Sequence, residues 1–365
     1  MKKDVVVLIA VTTVQFVRQW KRRWRHAQRI LRKFARKCAT PADDLVSEMQ
    51  AGLNSTDQST LQMLPSCLPS LPTDDEKGLY YEINLRGTNF IIVQARLGGR
   101  NAPTSRLRGR HEPISDLYRQ EISIPPNIIE ASSQERKIWE VAASRETAIT
   151  WKNSLLGDAA INIQWGNFRS SHLPITEFDT SLDAESSYPG RQIFEKVISG
   201  TYLGETVRRV LLKMAQESAL FGDTVPSKLA IPYSLRSPDM AAMHQDKSED
   251  YEIIDEKLTE IFGITNFTTM ERELVAEVCD VVAERGARLV GAGIVGIVKK
   301  LGRLSNRISI ITVEGGVYEH YHVYRNYLLR SVWEMLGNEL SGNVIIEHSH
   351  GGSGASSIFI AASQT

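Results

Sequence analysis

The sequence predicts an α/β protein with two lobes, preceded by a membrane-associated helix. The chain has 365 residues, more than the roughly 250 to 300 at which a single core stops growing, so two lobes are expected. Near the C-terminus two strand-to-glycine-turn-to-helix units follow one another, an order typical of α/β sheets. The first forty residues are apolar and then basic, which separates them from the globular body.

Charge is unevenly distributed along the chain. The 43 basic and 43 acidic side chains cancel, yet residues 1–42 carry twelve Lys and Arg against a single acid, Asp4. The remaining body holds 31 basic and 42 acidic side chains. Because phosphate contacts are made by clustered Lys and Arg, this acidic body argues against nucleic acid as a partner.

The N-terminal segment 1–37 predicts a membrane anchor. Residues 5–17 (VVVLIAVTTVQFV) are mostly apolar but fall short of the roughly 20 needed for a simple spanning helix. Residues 18–37 hold ten Lys and Arg, and one helical face carries Trp20, Trp24, Ala27, Leu31 and Phe34. Such a helix suits an anionic membrane surface, with the body on the cytosolic side. A cleaved signal or a transit peptide is the competing interpretation, although no A-x-A site precedes the basic cluster.

The first part of the body predicts a short helix and a β-hairpin. A helix over 43–52 leads into a connector over 54–72 that is rich in Ser, Thr, Gln and Pro. Residues 79–97 alternate in polarity around Arg-Gly-Thr-Asn at 86–89, which predicts a hairpin with a tight turn. Residues 98–135 are polar and rich in Gly and Pro, and we expect little regular structure there.

The C-terminal half predicts helices and two strands. Apolar residues recur at helical spacing over 201–222 and over 270–302. A strand over 307–313 is followed by a helix over 323–336, and a last strand covers 343–347. An acidic run at Glu177, Asp179, Asp183 and Glu185 is interpreted as a solvated face.

Three glycine-containing turns have the form of phosphate sites: 86–89, 314–316 and 351–354. Glycine lets backbone N–H groups approach a phosphate, and a following helix adds its partial positive charge. One such turn alone is weak support for a phosphate site, whereas three in the same chain give stronger support.

The cysteines and histidines predict no metal site. Three widely spaced cysteines offer neither a disulfide framework nor a CxxC pair, and they indicate a reducing compartment. His320 and His322, like His348 and His350, lie beside glycine turns, but this spacing without Cys or carboxylate partners is typical of loops.

Eight long blocks of the chain have a distinctive sequence: KGLYYEINLRGTNF (77–90), SIPPNIIEASSQE (123–135), INIQWGNFRSSHLP (161–174), FEKVISGTYLGETVRRVLLKMA (194–215), FGDTVPSKLAIPYSLRSPDMAAMH (221–244), RGARLVGAGIVGIVKKLGR (285–303), EGGVYEHY (314–321) and EHSHGGSG (347–354). Together they resemble plant-type hexokinases, members of the two-lobed actin-like ATPase and sugar-kinase superfamily. The resemblance implies a remnant of the small lobe over 41–145 and a large lobe over 146–365.

The same resemblance implies ATP- and Mg²⁺-dependent phosphorylation of the 6-hydroxyl of glucose or a similar hexose, in glycolysis and sugar sensing. It also implies the cytosolic face of the mitochondrial outer membrane, held by residues 5–37, with a cytoplasmic location as the alternative. The implied sugar-binding residues are Gln164, Gln192 and Glu195. The implied nucleotide-binding residues are Gly87, Thr88, Asn89, Gly286, Gly293, Gly315, Gly316, Gly352, Ser353 and Gly354.

The chain departs from the family pattern in one large respect. Between SSQE at 132–135 and the segment 148–168 it lacks a sizeable family block that supplies the catalytic Asp, the Thr-Lys-Gly loop and a phosphate turn. We therefore assign no catalytic residue and expect impaired catalysis; the alternative is a non-catalytic regulator or a membrane-bound scaffold. Gln164 also replaces a family Glu, Asn84 and Arg86 replace Asp and Gly, and Ser356 replaces a Gly.

Overall fold

The computed structural model describes most of the body of the chain. The described residues are 41–54, 59–61, 63–65, 75–86, 89–99, 114–123, 161–218, 220–222, 224–265, 268–304, 308–348 and 362. The predicted anchor over 1–37 lies outside them. Within this described part, no helix combines the length and the apolar character needed to cross a bilayer.

Strands dominate the early part of the described chain and helices dominate the later part. The helices are α1 Pro41–Asn54, α2 Glu177–Glu185, α3 Ile193–Ile198, α4 Gly200–Ser218, α5 Ser237–His244, α6 Glu252–Phe262, α7 Thr269–Lys300, α8 Gly316–His320 and α9 His322–Leu340. The strands are β1 Leu64–Pro65, β2 Lys77–Arg86, β3 Asn89–Gly98, β4 Ile114–Ser123, β5 Ile161–Asn162, β6 Ser309–Val313 and β7 Val344–His348. Short 3₁₀ helices cover Trp165–Asn167, Ser227–Ala230 and Ser341–Asn343.

The described residues form two compact units, and each draws on two stretches of the chain. The first unit takes its described residues from Met1–Leu61 and Gln164–Glu347. The second takes them from Gln62–Ile163 and His348–Thr365. The lobe boundary predicted between residues 145 and 146 stays a prediction.

The second unit contains an antiparallel sheet in the order β2-β3-β4. The β2–β3 register runs from Lys77 opposite Gly98 to Arg86 opposite Asn89, which confirms the predicted hairpin. The prediction of little regular structure over 98–135 is wrong for residues 114–123, because β4 pairs with β3 there. The many polar residues of this strand, ISDLYRQEIS, concealed it, and its pairing with β3 compensates for weak local preference.

The long helix α7 is the centre of the first unit. It begins with a capping box in which the Thr268 hydroxyl accepts the Glu271 N–H and the Glu271 carboxylate accepts the Thr268 N–H. Its apolar faces pack against α1, α4, α5, α6 and α9. Cys279 is fully buried on this helix, and burial raises the pKa of its thiol.

The acidic run at 177–185 is not wholly solvated, so that interpretation is wrong for Asp179. Asp179 is buried against α7, where its two carboxylate oxygens accept N–H donors of Arg285 at 2.7 and 2.9 Å. It also accepts the Thr176 N–H and hydroxyl as part of a capping box that begins α2. A carboxylate at this helical position is buried because it serves as both helix cap and ion-pair partner.

Candidate functional site

The sugar-binding pair predicted from the sequence lies at the start of helix α3. Gln192 is the residue that caps α3, with φ 52° and ψ 43°, and its side chain is exposed. Glu195 lies in the first turn and is half-buried. The left-handed conformation is uncommon for a residue with a Cβ and costs about 1–3 kcal/mol, and such strain clusters at functional sites.

A 3₁₀ turn at Trp165–Asn167 brings the third predicted residue to the same place. Gln164 precedes this turn in the same left-handed conformation, at φ 54° and ψ 43°. The rings of Trp165 and Phe194 meet edge to face at 5.7 Å, which fixes the turn against α3. The turn and α3 lie so close that a Cβ built at Gly166 would lie 3.1 Å from the Glu195 Cβ and 3.3 Å from its Oε2. The lack of a side chain at Gly166 therefore leaves the space that the Glu195 carboxylate occupies.

Two tyrosines, Tyr202 and Tyr324, lie close enough to Glu195 for its charge to affect their phenols. Burial raises the pKa of Tyr202 and of Tyr324, and the nearby Glu195 charge raises both further. The buried Tyr324 hydroxyl donates to the Ile198 carbonyl at 3.4 Å. Both phenols therefore stay protonated at neutral pH.

An ion pair between the buried Lys196 and the half-buried Asp183 supports the loop that leads into α3. The Lys196 ammonium donates to the Asp183 carboxylate and to the Tyr188 carbonyl, both at 2.6 Å. Asp183 also accepts the Gly190 N–H. Burial alone would raise the pKa of Asp183, but the hydrogen bonds from Lys196 and Gly190 outweigh it and lower that pKa.

The glycine turn after β6 is open, as a phosphate site requires. Gly315 has φ 124° and precedes α8, and a Cβ built on it would meet no atom within 4 Å. A Cβ built at Gly316 would approach only His320, at 3.9 Å. This turn lies beside the sugar-side elements, because a Cβ built at Gly200, two residues after α3, would lie 2.5 Å from Val317 Cγ2. The turn at Gly315 and Gly316 thus leaves open space beside its backbone, and its assignment to a nucleotide phosphate stays a prediction.

Two other predicted nucleotide residues have a packing role. A Cβ built at Gly293 would lie 2.6 Å from the Trp165 ring, and one at Gly286 would lie 3.3 Å from Leu203. Both glycines are buried within α7, so they allow neighbouring side chains to approach the helix. Their assignment to a nucleotide site stays a prediction.

The remaining predicted nucleotide residues lie in the other unit or outside the described residues. Asn89 opens β3 and pairs with Arg86. The others lie outside the described residues: Gly87, Thr88, Gly352, Ser353 and Gly354. Over the described stretches, no group of three or more His, Cys, Asp and Glu side chains could hold a metal ion, so we assign no protein ligand to Mg²⁺.

Sequence reasoning missed Gly166, Asp183 and Lys196. A signal was present, since Lys196 directly follows Glu195 and a Pro-Gly step at 189–190 marks a turn between Asp183 and α3. The pairing of Asp183 with Lys196 depends on the fold of that turn, so spacing alone did not reveal it.

Comparison with known proteins decides the family. A family model described as hexokinase matches residues 139–363, more than half of the chain, and a second model with the same description matches residues 26–154. The chain belongs to the hexokinase family. This confirms the predicted resemblance.

Plant hexokinases are among the similar curated proteins. Hexokinase-1 of Spinacia oleracea is 35% identical, with 89% of this chain and 87% of the relative covered. Hexokinase-2 of Oryza sativa subsp. japonica is 34% identical with the same coverage. The spinach alignment extends over 442 positions and the chain has 365 residues, so at least 77 positions of it contain no residue of this hexokinase-family chain.

Solved hexokinase structures share the fold. The hexokinase from Schistosoma mansoni complexed with glucose gives a TM-score of 0.76 at 19% identity, with 94% of this chain and 99% of that chain covered. A second structure, titled as a crystal structure of hexokinase, gives 0.71 at 17% identity. At these identities the likeness shows the fold alone, and it confirms the predicted α/β actin-like sugar-kinase fold.

Proposed function

We propose that this hexokinase-family protein binds a hexose such as glucose through Glu195, Gln192 and Gln164. One observation carries the proposal: two separate turns place these residues together, and both glutamines hold a left-handed backbone at the contact. The two turns lie 28 residues apart in the sequence, so their meeting is a product of the fold.

The three side chains suit the hydroxyl groups of a sugar. A carboxylate accepts hydrogen bonds from hydroxyls, whereas a Gln amide both accepts and donates. Gln164 replaces the Glu of the family pattern, which removes one charge and retains hydrogen-bonding capacity. Hydrogen bonds to the charged Glu195 contribute most, about 1.5–3 kcal/mol each.

ATP with Mg²⁺ is the phosphoryl donor that the family implies. Gly315 and Gly316 are the described residues that would approach a phosphate, because their turn is open and neither carries a side chain that would keep the phosphate away from the backbone. Bound there, the nucleotide would supply the transferable phosphoryl group.

We further propose that the small lobe is incomplete and that phosphorylation is impaired. The alignment with the spinach hexokinase is 77 positions longer than this chain. This difference supports an internal deletion. By the family pattern, the deleted block contains the catalytic Asp, and a positioned general base contributes typically 10²- to 10⁴-fold in rate. A non-catalytic sugar-binding regulator is the second candidate function, favoured by the same deletion.

Calorimetry of the full chain with glucose, followed by a coupled glucose 6-phosphate assay, tests the proposal. We expect saturable glucose binding that Glu195→Gln weakens, with turnover at least a hundredfold below that of a plant hexokinase measured alongside. Undiminished turnover would contradict the impairment, and glucose binding that is unchanged by Glu195→Gln would contradict the site.

The N-terminal segment supports a further part of the proposal. Residues 5–37 would hold the protein on a membrane surface, at the cytosolic face of the mitochondrial outer membrane, and a cytoplasmic location is the alternative. A membrane-bound scaffold is compatible with this placement whether or not a sugar binds.

A further inference from the structure

The loop that precedes α3, residues 186–192, is held on both sides by the ion pair between the buried Lys196 and the half-buried Asp183. Lys196 is only 3% exposed, and its ammonium donates to Asp183 and to the Tyr188 carbonyl, both at 2.6 Å. Both Asp183 oxygens accept the Gly190 N–H, at 3.0 and 2.9 Å. Asp183 thus holds the loop at one point and Lys196 holds it at another.

We propose that Lys196 and Asp183 are positioning residues that hold the 186–192 loop, and with it Gln192 and Glu195, in the sugar-binding conformation. The inference rests on the proposed function of that pair. Neither residue is assigned a contact with the sugar. Both act through the backbone that carries Gln192 and Glu195.

The backbone of the loop needs such support. Gly190 has φ 72° and Gln192 has φ 52°, so two left-handed residues occur within three positions. A left-handed Gln costs about 1–3 kcal/mol and persists only where surrounding contacts hold it. The Lys196 N–H also donates to the Gln192 carbonyl at 3.0 Å, so the same residue holds Gln192 by its main chain and the loop by its side chain.

The placement of this ion pair favours a positioning role over general stabilisation. Burying an ammonium and a carboxylate costs desolvation energy, so a buried pair by itself is weak support for stability. Here the donors and acceptors are directed into one loop, and Lys196 is adjacent to Glu195 in the sequence. Arg169 is a further positive group near Asp183, so the carboxylate would remain charged if Lys196 were replaced.

The test is a double-mutant cycle on glucose affinity, measured by calorimetry with the full chain. Lys196→Met keeps the length of the buried side chain and removes its three donors. We expect the dissociation constant for glucose to rise at least tenfold in Lys196→Met. In a Glu195→Gln background, the same change should raise it less than threefold, because the group being positioned is already lost.

A matched control and a second variant keep the test decisive. Lys213 pairs with Glu177 and Glu217 on the surface of α4, so Lys213→Met removes a lysine salt bridge without reaching the loop and should leave glucose affinity unchanged. If Lys196→Met lacks a cooperative thermal transition, Asp183→Asn takes its place in the cycle. Equal affinity in the variant and the parent protein, or fully additive effects in the cycle, would overturn the inference.

Hydrogen exchange separates failure of the inference from failure of the proposed function. A parent chain that binds no glucose would remove the proposed function. The positioning role is then read from the amides of residues 186–192, which should exchange at least tenfold faster in Lys196→Met than in the parent. Unchanged exchange there would overturn the inference whatever the sugar result.

Discussion

Replacing Gly166 by Ala should weaken glucose binding while leaving the fold intact. The new Cβ would lie 3.1 Å from the Glu195 Cβ and 3.3 Å from Oε2, whereas carbon atoms prefer about 3.5–4.0 Å. The carboxylate must therefore move by a few tenths of an ångström. Loss of one hydrogen bond to this charged group would cost about 1.5–3 kcal/mol, which corresponds to roughly 10- to 100-fold in the dissociation constant.

Calorimetry with glucose, with thermal melts on the same samples, measures this effect. Gly342→Ala is the matched control, because a Cβ built there meets no atom within 4 Å. We expect the control to bind like the parent chain, and both variants to melt cooperatively. Parent-like affinity in Gly166→Ala, or an equal loss in the control, would refute the reasoning.

Three further perturbations test the core, the glycine assignments and the anchor. Arg285→Met leaves a buried carboxylate unpaired and should cost about 3–5 kcal/mol of unfolding free energy in urea at neutral pH. Burial would raise the pKa of Asp179, but Arg285 outweighs it and lowers that pKa, so this cost should shrink as the pH falls through the folded-state pKa. Gly293→Ala should lower the melting temperature. The new methyl group would lie 2.6 Å from the Trp165 ring, and this overpacking destabilises the fold by about 1–3 kcal/mol. The better helix propensity of Ala stabilises it by only about 1 kcal/mol. Replacing Trp20 and Trp24 by Ala should reduce cosedimentation of the full chain with phosphatidylserine vesicles.

Each of these perturbations has a control and an opposing outcome. Arg330→Met breaks an exposed pair with Glu334 and should lower the unfolding free energy by about 1 kcal/mol or less. An equally small loss in Arg285→Met would contradict the ion-pair argument. A Gly293→Ala variant that loses ATP affinity at an unchanged melting temperature would favour the nucleotide assignment over packing. Unaltered vesicle binding by the double Trp variant would count against the membrane interpretation.

Periodic elements could be predicted from the sequence because their signals are local. The spacing of apolar residues located α4, α7 and α9, and the alternating hairpin located β2 and β3. The order of strand, glycine turn and helix also located Gly315 before α8. In each case a single stretch of chain contained the whole pattern.

Features that depend on distant partners were not predictable in this way. Strand β4 is held by its register with β3, and Asp179 is buried by an arginine more than 100 residues away. The left-handed backbone at Gln192 has no local signal either, because Gln is not a residue that favours it. The resemblance indicated the proposed sugar-binding residues, whereas the contacts that hold the loop before α3 are visible only in the folded structure.

The packing of α1 on α7 has a consequence for the order of folding during synthesis. A Cβ at Gly296 would lie 2.8 Å from the Ala42 carbonyl, and Lys299 donates to Asp43 at 2.8 Å, so the two helices meet across some 250 residues of chain. Helix α1 therefore leaves the ribosome about 250 residues before the part of α7 that it contacts. Until α7 emerges, the apolar residues Leu45 and Met49 lack its cover, and chaperones have access to them.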